Sequence, residues 1–408
     1  MNGKELTNVI TFEEIFNGDV WILRCMGLSY FNRVFSNKKE TEKWWEKVIP
    51  LCGLLAMSLL IFMEIIRVLR VIVVDITDAT EIFTAMLSGM LCTFKAIRCW
   101  THRKELFEFL RQLKILWETA NSNNFVTDSI LETVLFAKSL KNYLTYTCIA
   151  LAVSYGFPAY IVLGSHLIFY RDQYFFNLSI IIYPVDYPFV IDSYGVYFMC
   201  LLFEQIAELL AIVYWLCGDA LFIQLTTHVC VQCRILVNRL HDINKINIAS
   251  CEENNKELTD IIFRHHQLYL HICWLQKFFS PIAFFVTLIN GANLCFSLYR
   301  VDGEINEQNW SNLLINVLHL VAVLGQTILY CKYADTLAEK FEEISYAVYY
   351  SNWSHCDKKF KTMMVMIIRR AQKRYQFTIY GIITLNLSQF TRIVNAAMSY
   401  FALLRSFG

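Results

Sequence analysis

The chain has 408 residues, of which 56% are hydrophobic and 17% charged, and its mean hydropathy is +0.41. That balance excludes an ordinary soluble protein of this size and implies a multi-pass membrane protein. A net charge of +1 supplies no basic field for nucleic acid, and no nucleic-acid motif occurs.

The amino terminus carries acidic residues where a signal peptide would have an apolar run, so no cleaved signal is expected. Phe12, Ile15, Phe16, Val20 and Leu23 share one helical face, which suits a short amphipathic helix at the inner membrane interface or an ordinary packing helix. Seven apolar runs follow, over about 48–66, 80–98, 142–164, 193–217, 278–298, 312–331 and 376–403. The second is diluted by Thr80, Glu81, Thr84, Ser88, Thr93 and Lys95, so it should face the bundle or a cavity more than lipid. With few prolines and glycines, no linker and no repeat, residues 1–408 are expected to form a single membrane domain.

Thirty of the 36 Lys and Arg lie in four segments, 1–47, 95–141, 218–277 and 332–374. The positive-inside rule puts these in the cytoplasm, which with seven spans leaves the carboxyl terminus outside. None of the 14 cysteines falls in the expected outer loops, 67–79, 165–192 and 299–311, so no disulfide is expected there. Asn177 and Asn309 head glycosylation sequons in outer loops, whereas Asn352 heads one inside.

The segments 218–277 and 332–375 are long and helically patterned, and they predict a cytoplasmic helical anchor bundle below the membrane. Glu204 and Glu208 share one face of the fourth span, where buried carboxylates suggest a hydrogen-bonded pair or a hydrated vestibule. They lack any nucleophile partner, and no hydrolase, metalloprotease or phosphate-binding motif occurs, so no enzyme, cofactor or metal is expected. His266 and His271 point about 140° apart on a helix and cannot chelate together.

The last span carries a polar stripe. On one helix Thr384, Ser388, Thr391, Asn395, Ser399 and Ser406 would lie within about 80° of one another. Such a stripe faces either a water-filled path or a neighbouring helix. In the outer halves of spans two to four, Phe83, Leu87, Met90, Ser154, Tyr155, Tyr160, Tyr197 and Leu201 form an apolar, aromatic set. It suits either a small volatile ligand or plain bundle core.

From about Asp219 onward the residues resemble the insect odorant receptor family, in the form of a tuning receptor rather than the shared coreceptor. The resemblance rests on Asp219, Leu221, Phe222, Leu225, His228, Cys230 and Gln232, on Leu275 with Phe279 and Ser280, and on Gln326 before Cys331. It continues through Tyr333, Asp335, Leu337, Ala347, Tyr349 and Trp353, then Arg370 to Lys373, and closes on Ser399-Tyr400-Phe401-x-Leu403-Leu404-Arg405. Ala334, Phe341 and Arg374 depart from the usual Gly, Ser and Pro.

The resemblance implies an all-α, seven-transmembrane bundle acting as a ligand-gated, non-selective channel for monovalent and divalent cations. It also implies a heteromeric tetramer with the odorant receptor coreceptor, in the plasma membrane of olfactory dendrites. Subunits would meet through the anchor, including Tyr349 and Trp353. The last span would line the pore, with Ser399, Leu403, Ser406 and Phe407 along it and a gate at Leu403 and Phe407. A gustatory receptor of the same superfamily is the alternative, disfavoured by the terminal motif. A G-protein-coupled receptor fails on topology and motifs, and a transporter would need repeat symmetry that is absent.

Overall fold

Inside a bilayer the backbone has no water to bond with, so an apolar chain must satisfy its amides within helices. The computed structural model describes residues 11–26, 28, 31, 34, 44–72, 76–165, 168, 182–183, 185–243, 251–351, 353, 356–373 and 375–407. Among them are ten helices: α1 (Phe12–Cys25), α2 (Trp45–Val71), α3 (Ile76–Thr101), α4 (Arg103–Ser122), α5 (Asp128–Ser165), α6 (Tyr194–Ile243), α7 (Cys251–Glu307), α8 (Trp310–Tyr349), α9 (Lys358–Ala371) and α10 (Leu387–Phe407). Six of these, α2, α3 and α5 to α8, are long and apolar enough to cross a membrane. Asn177, Asn352 and Arg374 lie outside the described residues.

Helix length divides the molecule into two ends. At 1.5 Å per residue the 57 residues of α7 extend about 85 Å, far beyond a hydrocarbon core of about 30 Å. The ends of α6, α7 and α8 remote from the short connections therefore continue into a second bundle, the anchor, with α1, α4 and α9 packed against them. At the opposite, loop end lie the connections α2–α3, α5–α6 and α7–α8.

The anchor is cored by aromatic stacking. Phe109 lies on Trp274 with centroids 4.1 Å apart, and His265 stacks on Phe341 at 5.3 Å, so the departure at 341 fills buried space. In α1 the Thr11 hydroxyl accepts from Glu14 N and the Glu14 carboxylate from Thr11 N, a reciprocal cap that fixes the helix start. Phe12 and Phe16 then pack on the His228 ring, at 5.3 and 5.2 Å, and are fully buried with Ile15 and Leu23. Phe12, Ile15, Phe16 and Leu23 of the apolar face of α1 are thus covered by protein.

A further difference from the sequence expectation has a local cause. Residues 377–385 are not helical: Thr378–Ile379 pairs antiparallel with Ile383–Thr384, and α10 begins only at Leu387. Tyr380 (φ +51°) and Gly381 (φ +73°) make the turn, which glycine adopts at no steric cost, and the Asn386 side chain caps α10 by accepting from Gln389 N at 2.9 Å. This hairpin is tied to α7, because Gln276 Nε2 donates to Thr378 Oγ1 at 2.6 Å and Tyr380 N donates to Ser280 Oγ at 2.9 Å. Four residues before Pro281, the Lys277 carbonyl loses its helical partner, and Arg98 Nη2 from α3 donates to it at 3.2 Å.

Candidate ligand site and the exposed edge of the last helix

Between the loop end and mid-bundle, α2, α3, α5 and α6 diverge around a cavity of about 120 Å³, which α7 and α8 close on one side. Most of its wall is apolar, from Met57, Leu60, Ile61, Ala85, Leu151, Ala152, Ala211 and Ile212. An apolar cavity of about 150 Å³ holds one benzene, so this one fits a molecule of about one ring. Its polar groups are few and mostly engaged. Arg300 Nη2 meets Glu81 Oε2 at 3.0 Å, His319 lies between Ser88 Oγ (3.4 Å) and Ser297 Oγ (3.0 Å), and Asn293 Nδ2 donates to Ser88 Oγ at 3.0 Å.

Below the cavity is a buried ion pair. Lys95 Nζ lies 2.6 Å from Asp219 Oδ1, with Lys95 0% exposed, and Asp219 also accepts from Tyr330 (2.8 Å) and from Gln326 Nε2 (2.6 Å). Asn290 Nδ2 donates to Gln326 Oε1 at 2.8 Å and to Thr327 Oγ1 at 3.0 Å. The network joins α3, α6, α7 and α8 at one level. Gly218 permits it, since a Cβ there would lie 2.9 Å from Lys95 Cδ.

Above, residues 182 and 183 fold against the bundle and form part of the cavity wall. Glu204 holds them: its Oε2 accepts from Ile182 N (2.7 Å) and Tyr183 N (3.2 Å), and its Oε1 accepts from Tyr187 Oη (2.7 Å). Glu204 is thus a fastener for the segment after α5. Glu208, one turn on, faces the cavity instead.

Of the sequence-chosen ligand residues, only Tyr155 lines this cavity. Phe83 stacks on Phe296 at 5.7 Å and with Leu87 packs on Val68, Ile82 and Met86; Met90 is exposed. Tyr197 and Leu201 are buried in a separate cluster with Ala159, Tyr160 is at the surface, and the Ser154 hydroxyl donates to the Leu151 carbonyl. The contribution of α2 was missed, and the buried Glu64 in an otherwise apolar run was the available signal.

Along α10, Ile393 and Ala397 are buried against Leu294, Cys295 and Val323. Ser388, Thr391, Asn395, Ser399 and Ser406 are all exposed, as is Leu403, while Thr384 belongs to the hairpin. Among the described residues, the polar edge therefore makes no interface within the chain. The Ser399 hydroxyl donates to the Asn395 carbonyl (2.9 Å) and the Ser406 hydroxyl to the Leu403 carbonyl (2.7 Å), which lowers the cost of exposing each in an apolar surrounding. The Phe407 backbone ends α10, and its side chain lies outside the described atoms. In the anchor, Tyr349 is exposed beside Tyr350, and Trp353 is half-buried against the core.

The 7tm Odorant receptor family matches residues 75–398, most of the chain, from α3 to Met398 within α10. The chain belongs to this family of insect odorant receptors. This receptor is 24% identical over 277 residues to Odorant receptor 67c of Drosophila melanogaster, covering 66% of each chain. It is 27% identical over 186 residues to Odorant receptor 10 of Aedes albopictus, covering 45% of this chain and 48% of that one. The match thus spans just under two thirds of the first relative's length and about half of the second's. Putative odorant receptor 92a of Drosophila melanogaster matches over 81% of the receptor at 21% identity. Among solved structures, the olfactory receptor OR5 of Machilis hrabei in complex with eugenol superposes with a TM-score of 0.73 at 15% identity, over 97% of the receptor and 100% of OR5. A second structure of OR5 from Machilis hrabei superposes at 0.71. The fold is therefore the all-α, seven-transmembrane bundle of these receptors, and the family is one of odorant receptors, not of enzymes.

Proposed function

We propose that this receptor is the odorant-binding subunit of a ligand-gated, non-selective cation channel, acting in a heteromeric tetramer with the odorant receptor coreceptor in the plasma membrane of sensory dendrites. The observation that carries the reading is the outward-facing polar edge of α10. A row of hydroxyls and an amide that no described helix of the same chain covers needs water or another subunit beside it. Four copies placed around an axis would turn that edge inward and form a hydrated path, with Leu403 and Phe407 as an apolar constriction near its end. The exposed Tyr349 and the half-buried Trp353 in the anchor suit contacts between subunits. The excess of Lys and Arg at the anchor end supports a cytoplasmic anchor, a cytoplasmic amino terminus and an extracellular carboxyl terminus.

A small volatile odorant in the cavity touches α3, α6, α7 and α8, the helices that also carry the Lys95–Asp219 network. Because α10 is tied to α7 through the hairpin and through Ile393, rearrangement around the cavity reaches the path through continuous packing. A ligand opens the channel only by its differential affinity for the open state, about 1.4 kcal/mol for each tenfold shift in the open-to-closed ratio.

The test is current recording from cells expressing this chain with the coreceptor, against a panel of volatiles. Ligand-evoked cation current that persists with G-protein signalling blocked is the expected result. Surface-delivered receptor that binds volatiles without passing current would overturn the channel reading.

A further inference from the structure

The cavity wall holds three carboxylates and one cation, and these do not balance. Glu81 is neutralised by Arg300 at 3.0 Å. Glu208 Oε2 accepts only a neutral partner, Gln205 Nε2 at 2.8 Å, and the missing side chain at Gly156 leaves room for that pair, since a Cβ there would lie 3.0 Å from Gln205 Oε1. Glu64 is 1% exposed, lines the cavity, and its Oε1 has no hydrogen-bond partner. The nearest basic residue on its own helix, Arg67, is turned to Asp186 at 3.5 Å and to the Val185 carbonyl. Lys95, the next cation inward, is committed to Asp219. An acceptor left without a donor in an apolar cavity is a vacancy for a ligand's N–H.

Building on the proposed odorant-binding role, we propose that the cavity selects small amines over neutral molecules of the same shape, with the ammonium donating to Glu64 and with Glu208 adding a further negative charge to the same wall. An ammonium brings the positive charge and the several N–H donors that the wall lacks, and the rings of Tyr155 and Trp215 in the same wall favour a cation further. The volume of about 120 Å³ restricts the apolar body to about one ring or a short alkyl chain. Glu64 and Glu208 are specificity-determining residues in this account, and the surrounding aliphatic wall supplies affinity for the body.

The receptor, expressed with the coreceptor, is to be challenged with shape-matched pairs: benzylamine against ethylbenzene, and hexylamine against heptane. In each pair the amine is expected to act at a concentration at least about tenfold lower. Glu64→Gln, checked for surface delivery, is expected to reduce that preference about tenfold or more. Glu208→Gln is expected to reduce it less, because Gln205 already serves that carboxylate. Equal potency within the pairs, or a preference unchanged in both variants, overturns the proposal. A response to the hydrocarbons alone overturns it while leaving the channel reading standing. Should none of the four compounds gate current, thermal stabilisation of the purified full-length chain decides: a larger shift with amines that Glu64→Gln abolishes supports the proposal, and equal shifts or none refute it.

Discussion

Exchanging the partners of the Lys95–Asp219 pair one at a time tests how the bundle is held at mid-depth, because the two ends of the pair are unequally supported. Asp219 has three donors, Lys95, Tyr330 and Gln326, whereas the Lys95 ammonium has this one carboxylate and the ring faces of Trp215 and Tyr330 at 5.5 and 6.0 Å. Asp219→Leu strands a fully buried cation, an uncompensated charge that costs about 3–5 kcal/mol. Lys95→Met removes the cation but leaves the carboxylate with two charge-assisted hydrogen bonds, each worth about 1.5–3 kcal/mol, so a loss of only about 1–3 kcal/mol is expected. The double variant removes both charges and strands only the neutral donors of Gln326 and Tyr330, so it should be more stable than Asp219→Leu alone. Thermal unfolding of the detergent-purified receptor, followed by fluorescence, reads the order. If Lys95→Met proves as damaging as Asp219→Leu, or the double variant is the sum of the singles, the pairing argument is wrong.

Gly218→Ala should lower stability by about 1–3 kcal/mol, because the new Cβ meets the locked Lys95 stem, whereas Gly303→Ala, in a helix with nothing within 4 Å, should raise it by about 0.5–1 kcal/mol; the same melts compare them. Glu204→Gln replaces one acceptor oxygen by a donor and should accelerate hydrogen exchange at the Ile182 and Tyr183 amides, read by mass spectrometry, with protection in α6 retained. Cysteines placed at Asn395 and Ser399 in a channel assembled with the coreceptor should react with a charged thiol reagent and change the current, while cysteines at the buried Ile393 and Ala397 should not. Equal reactivity at all four would remove the hydrated path from the polar edge.

The membrane helices were legible because each is a long apolar run, and hydropathy adds up along a segment without knowledge of its neighbours. The anchor was legible for the same reason: helical periodicity continues past the length a bilayer needs. What escaped was whatever depends on pairing across the chain. Lys95 and Asp219 are 124 residues apart, and nothing local joins them. Of the ligand set read from the sequence, Tyr155 lines the cavity while Phe83, Tyr197 and Leu201 pack in separate clusters, because periodicity identifies a buried face without telling a filled interior from a hollow one. The hairpin at 378–384 escaped because Ile379, Ile382 and Ile383 sustain the apolar run while Tyr380-Gly381 breaks it in a way only backbone geometry shows. The exposed face of α10 was visible as a pattern, but its orientation became definite only when Ile393 and Ala397 were seen against α7 and α8.

The attachment of α10 at its two ends is unequal, and this bears on how little motion a response requires. At its foot the preceding hairpin is clamped by Gln276 and Ser280, while near its tip Phe401 and Leu404 are only partly buried against the bundle and the exposed Arg405 reaches Asp302 at 3.2 Å. A rod of 21 residues is about 31 Å long, so swinging it by about 5° from a pinned base carries the far end about 3 Å. That displacement is comparable to the diameter of a water molecule. A leverage arm of this kind would let a ligand of a few atoms, seated well away from the axis, decide whether a narrow apolar neck is dry or wet.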